Sequence, residues 1–108
     1  MTVTELAEKT GFSALTIPCP DKEVKGAYVG DLLSWVMGRA EACNAWITIM
    51  SNVNVLAVAS LADVACVILA EGVTLESELA MSAQEKSVNI LSSPLPSYET
   101  ALKLQEFV

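Results

Sequence analysis

Residues 55–70 read VLAVASLADVACVILA, and this run limits the possible folds more than any other part of the chain. It is apolar over 16 residues apart from Ser60 and Asp63, of which only Asp63 is charged. A helix that crosses a bilayer needs about 20 apolar residues, so the run is too short and carries a carboxylate at its middle. What remains is a buried helix followed by a buried strand. Strands of a parallel sheet are covered on both faces and therefore read as near-continuous apolar runs.

Two placements compete just upstream. In one, Ser51-Asn52 turns a hairpin into a strand Val53 to Val58, and Ser60-x-x-Asp63 caps a very short helix. In the other, Ser51 or Asn52 caps a helix running to about Asp63, and Ala65 to Leu69 is the next strand. The helix is the better choice, because the Ala content suits it and the hairpin would leave barely one helical turn before the next strand. The flanking segments fit the same alternation. Ala45 to Met50 (AWITIM) is β-branched and aromatic, hence a strand. Thr74 is expected to cap a helix with Glu76 and Glu78 in its first turn and Lys86 at its end, in agreement with the helix dipole. Ser87 to Leu91 reads as a strand, Ser92-Ser93-Pro94 as a loop, and Pro96 or Ser97 as the start of a helix with Ala101, Leu102, Leu104 and Phe107 facing inward. From residue 45 the order is β-α-β-α-β-α. The fold class is therefore α/β, in two or three layers, with a parallel or mixed sheet joined by right-handed crossovers.

The N-terminal part is less regular. Thr2-x-x-Glu5 is a capping box and Gly11 a stop, so residues 2–10 form a helix. Ser13 to Ile17 is a short strand ended by Pro18 and Pro20, and PDKEVKG is a polar connector. GAYVGDLLSWVMGRA, residues 26–40, reads as a helix whose core face is Val29, Leu32, Leu33, Val36, Met37 and Ala40. Gly30, Ser34 and Gly38 then form a small-residue flank. Asp31, Trp35 and Arg39 form a row on the side away from the core. Trp and Arg are favoured at interfaces, which makes these six residues candidates for self-association as a homodimer; the alternative is a Trp folded over its own helix or covered by the N-terminal segment.

Composition narrows the function. At 108 residues there is room for one domain, residues 1–108. Six basic residues stand against 13 acidic ones, for a net charge of −7. That balance gives no footprint for nucleic acid and repels an anionic membrane surface. No Lys/Arg-led apolar leader precedes a cleavage site, so a cytoplasmic location is expected. There is no His, and the three cysteines (Cys19, Cys43, Cys66) lie far apart. No metal, no cofactor and no Ser-His or Cys-His nucleophile is expected, and two or more of the thiols should be buried.

A ligand, if bound, belongs at the carboxyl ends of the strands beside helix N-termini. Three loops lie there: Ser51, Asn52 and Asn54; Glu71, Gly72 and Thr74; Ser92 and Ser93. The N–H groups at residues 52–54 would receive an anion, but Ser, Thr and Asn are also the ordinary helix caps, and Glu71 opposes an anion nearby.

MSNVNVLAVASLADVACVILAEG, followed by a helix and VNILSSPLPSYETALKL, resembles a DRTGG domain. There a strand, an Asp-Arg turn, an apolar helix, a strand ending in Thr-Gly-Gly, a further helix and a strand lead to a last helix. Ser51 and Asn52 stand at the Asp-Arg position, and Ala70, Glu71 and Gly72 at Thr-Gly-Gly, where only Gly72 is kept. GAYVGDLLSWVM, AWITIM and TELAEKTGF also resemble a compact, stand-alone subgroup found with hydrogenase genes, which implies a hydrogenase-related protein partner. The resemblance implies the fold shared by the N-terminal domains of HPr kinase/phosphorylase and of Mur ligases. It also implies a non-enzymatic regulatory or adaptor module that self-associates, as do the DRTGG domains accompanying phosphotransacetylases and CBS-domain pyrophosphatases. Some of these are similar to adenine-nucleotide sensors. Loss of the Arg removes the natural bidentate partner of a phosphate. The other function classes are a small-molecule, nucleotide-type binding protein with its pocket at the strand rim, and an enzyme.

Overall fold

The opening capping box closes from both sides. The Glu5 N–H donates to Thr2 Oγ1 at 3.2 Å, and the Thr2 N–H donates to Glu5 Oε1 at 3.0 Å. The Thr2 backbone N–H, with its hydroxyl in support, holds the Glu5 carboxyl below its ordinary range. These bonds start α1 (Val3–Thr10), and Gly11 ends it with a left-handed φ of 77°. In the computed structural model, which describes residues 1–108, β1 (Ser13–Thr16) follows.

The structure corrects the reading of residues 26–40 as one helix. Ala27–Val29 is a strand, β2, and only Leu33–Arg39 is helical, as α2. Gly26, at φ 72°, and Gly30 bracket the strand, and the Tyr28 ring lies where a Cβ on Gly30 would stand 2.9 Å from it. A side chain at residue 30 would push that ring aside, and glycines at both ends weaken a helix. A strand has period two, so the helical face drawn through Val29 and Leu32 dissolves: both are exposed, as is Met37. Only Val36 of the proposed core face is fully buried, with Leu33 and Ala40 packed partly against it.

The rest of the chain is β3 (Ala45–Thr48), α3 (Val53–Ala62), β4 (Cys66–Leu69), α4 (Ser77–Glu85), β5 (Ile90–Ser92) and α5 (Ser97–Gln105). Asn52 caps α3, accepting from the N–H groups of Asn54 and Val55, and the hairpin alternative is ruled out. Three details differ from the sequence reading. Thr74 is not the cap of α4, which starts after Glu76 without a side-chain cap; Val73 and Leu75 pack against the core and keep the chain extended past Thr74. β5 begins at Ile90 rather than Ser87, because Ser87 takes a left-handed φ of 59° to close α4. Leu102 is 46% exposed, and the inward place on α5 goes to Thr100, whose hydroxyl bonds Ser93 and the Leu95 carbonyl.

The sheet runs β1-β5-β4-β3-β2, with β2 to β5 parallel and β1 antiparallel on β5. Each crossover steps the same way along the sheet. Right-handed connections then place α2, α3 and α4 on one face, over Trp46, Val67, Leu69 and Ile90. The other face, built on Ala45, Ile47, Cys66, Ile68 and Leu91, is closed by α1 and α5. The architecture is three-layered. No helix is long and apolar enough to cross a membrane.

Asn89 joins the connector to this frame. Its side chain is buried, accepts from the Cys19 N–H at 2.9 Å, and donates to the carbonyls of Cys19 and Ala65 at 2.8 and 2.9 Å. Asn89→Ala leaves those backbone groups without partners and should lower stability by about 2–3 kcal/mol in urea unfolding. A loss under about 0.5 kcal/mol would mean that water replaces the amide.

Candidate functional site

The parallel strands β3, β4 and β5 end at Thr48, Leu69 and Ser92, which brings the three candidate loops to one edge of the sheet. They are stitched to one another. The Glu71 N–H donates to the Leu95 carbonyl and the Gly72 N–H to the Ser93 carbonyl, both at 2.8 Å. Glu71 and Gly72 take left-handed φ angles of 62° and 69°, the conformation that aims two successive N–H groups at that loop. Ser92 Oγ donates to the Val73 carbonyl at 3.0 Å. Ser93 is fully buried, its hydroxyl 2.8 Å from Thr100 Oγ1.

These bonds divide the candidates. Asn52, Ser92 and Ser93 spend their polar atoms on the fold. Asn54, Glu71 and Thr74 are exposed, and Ser51 is half-buried. One rim residue was missed from sequence. Asp31 Oδ1 accepts from the Thr48 hydroxyl at 2.6 Å and from the Ile49 N–H at 3.0 Å, tying the start of α2 to the end of β3. The sequence reading places it in the outward row of a helix, and only the position of β3 beside it reveals its partners. With Glu71, it makes the rim a place of two carboxylates and no cation, an arrangement poor at holding a phosphate.

The six surface candidates are also rearranged. Gly30 and Asp31 precede α2, so neither the Gly30-Ser34-Gly38 flank nor the Asp31-Trp35-Arg39 row exists as a helical stripe. Trp35 and Arg39 do share a helix face. The Arg39 guanidinium lies 3.9 Å from the Trp35 ring centroid, and Trp35 is 53% exposed, not folded beneath the N-terminal segment.

Two concavities lie away from the rim, and a third, of about 280 Å³, runs along α5 from Leu95 to Glu106. An apolar groove of about 330 Å³ separates α5 from the start of β2. A polar one of about 240 Å³, at the opposite ends of the strands, is lined by Cys19, Lys22, Asp63, Lys86 and Ser87. No three His, Cys, Asp or Glu side chains stand close enough to hold a metal ion. Of the thiols, Cys66 alone is buried, with Cys19 and Cys43 half-buried, fewer than the sequence reading expected.

The DRTGG domain family matches residues 35–107, from the first turns of α2 to the end of α5. Among solved structures, the chain is similar to the CBS and DRTGG domains of the regulatory region of Clostridium perfringens pyrophosphatase complexed with activator, diadenosine tetraphosphate. The TM-score is 0.76 at 13% identity, over 95% of this chain and 45% of that one, so this chain spans under half the length of that solved neighbour. No curated protein matches the chain. Two thirds of the sequence, holding all the crossovers after β3, fit one family pattern, and the chain belongs to the DRTGG domain family.

Proposed function

We propose that this chain is a non-catalytic regulatory module that acts as a single domain and self-associates. The observation that carries the proposal is the exposed Trp35, stacked against Arg39 on α2. Aromatic and Arg side chains are the usual anchors of a protein interface, and an apolar surface of this kind is more stable when covered. The non-catalytic part of the proposal draws support from Asp31, whose Oδ1 is spent on the Thr48 hydroxyl and the Ile49 N–H. Trp35→Ala should shift sedimentation from dimer toward monomer with the fold retained. A dimer of unchanged affinity removes α2 from the interface. A hydrogenase-related protein as the eventual partner belongs to the same proposal.

A second reading, a sensor of a nucleotide-type ligand, draws on the activator bound by the Clostridium perfringens regulatory region. The loops at Ser51, Asn54, Glu71 and Thr74 would form its site, by their exposure at the strand ends. In a thermal-shift series with diadenosine tetraphosphate and mononucleotides, a ligand at 100 times its Kd adds about 2.7 kcal/mol. Flat melting curves across the series leave self-association as the function.

A further inference from the structure

Arg39 is the last residue of α2, and its exposed side chain lies over the exposed Trp35 ring, 3.9 Å from the centroid. At that separation one flat side of the guanidinium meets the ring, and the in-plane N–H donors remain available for other bonds. No carboxylate of the chain takes them. The ion pairs of the structure join the N-terminus to Glu23 and Lys22 to Asp63, and none reaches Arg39. Asp31, at the other end of α2, gives Oδ1 to Thr48 and Ile49. Glu41, two residues after Arg39, is exposed and unpaired. The chain therefore presents a guanidinium fork that is already held in place and has no acidic partner of its own. A planar fork of this kind matches a carboxylate through two parallel N–H···O bonds. Contact with the Trp35 ring also reduces the side-chain freedom that such a bond would otherwise remove.

We propose, resting on the self-association reading, that Arg39 sets the specificity of the α2 face by receiving a carboxylate of the second copy, with Trp35 as the platform that holds the guanidinium. Charge complementarity favours a second copy as the occupant. The chain carries 13 acidic and six basic residues, so a copy of it offers carboxylates in excess. Two copies at −7 each repel overall, and a cation placed where they meet offsets that repulsion locally. Among the six basic residues, Lys22 is held by Asp63, and Arg39 is the one fixed against an exposed aromatic ring. Trp35 then has two roles in one contact: it is covered when the copies associate, and it aims the fork. A Lys at this position would keep the charge but lose the bidentate geometry.

Sedimentation equilibrium on the full chain tests this. The wild type should sediment at twice its 11.5 kDa chain mass. Arg39→Gln should raise the dimer Kd at least about tenfold with unchanged circular dichroism, the loss expected when hydrogen bonds to a charged group are removed. Lys9→Gln is the control. It takes the same charge from an exposed residue of α1, on the opposite face of the sheet, and should leave the Kd within about twofold. Arg39→Lys keeps the charge without the fork and should remain at least about fivefold weaker than the wild type. Equal losses for Arg39→Gln and Lys9→Gln overturn the pairing, because net charge alone would then explain them. A dimer weakened by Trp35→Ala and untouched by Arg39→Gln also overturns it, and leaves self-association standing. A wild-type monomer overturns both. If Arg39→Gln fails to fold, Arg39→Lys decides alone, and a wild-type Kd for it overturns the pairing.

Discussion

Trp46→Ala should cost about 5 kcal/mol, enough to leave a domain of this size marginal or unfolded at 37 °C. Trp46 has no solvent exposure and lies at the centre of the face covered by α2, α3 and α4. Truncation to Ala opens a cavity that Val36, Val55, Leu56 and Val67 cannot fill without moving backbone, and large-to-small changes of this kind cost about 3–5 kcal/mol by themselves. A second loss adds to it. The indole Nε1 donates to the Gly30 carbonyl at 2.9 Å, at the turn between β2 and α2. Removing it frees the turn that holds Asp31 against Thr48, so the damage reaches the rim and the β2 edge together. Denaturant unfolding gives the magnitude. Trp46→Phe separates the two contributions, since it keeps most of the volume and loses only the donor. A midpoint for Trp46→Ala within about 1 kcal/mol of the wild type would mean that the core on this face is far looser than the geometry implies.

The second large effect is alkaline. Complete burial pushes the Cys66 thiol from its ordinary 9.0 up to about 12, and the nearby Lys22 ammonium pulls the other way without offsetting it. Below pH 9 the folded and unfolded chains both hold the proton, and Cys66 makes no difference. Between 9 and 12 the unfolded chain releases it while the folded chain keeps it, so stability is lost progressively as pH rises; above 12 both are ionised and the decline ends. The full span corresponds to on the order of 4 kcal/mol. Urea unfolding between pH 8 and 11 measures it, with Cys66→Ala as the control in which this decline should vanish. Parallel pH profiles for the two proteins would show that Cys66 is reached by water. The same burial means that iodoacetamide at pH 8 should modify Cys19 and Cys43 while sparing Cys66 in the folded chain.

The parts read correctly from sequence are those where one local signal acted without competition. VLAVASLADVACVILA could satisfy its backbone and bury its side chains only as a helix and an inner strand, and α3 and β4 occupy it with Asp63 at the junction. Thr2, Glu5 and Gly11 carry a self-contained cap and stop, and α1 lies between them. The errors fall where a residue's partner is distant in sequence. Ala27–Val29 is too short to show a period, and what makes it a strand is β3 lying alongside. Thr74 has a capping side chain, yet packing of Val73 and Leu75 moves the helix start beyond it. Asp31 reads as part of an exposed helical row and instead bonds the Thr48 side chain and the Ile49 N–H at the end of the neighbouring strand.

The sequence by itself determined that the chain buries an alternation of helices and parallel strands, because hydrophobic period and capping chemistry are local and leave no other way to cover that much apolar surface. Tertiary structure alone decided which strand is left at the edge, where Trp35 points, and how the rim loops use their polar atoms. Those follow from register and crossover direction, which join residues far apart in the chain and leave no mark on the spacing of their neighbours.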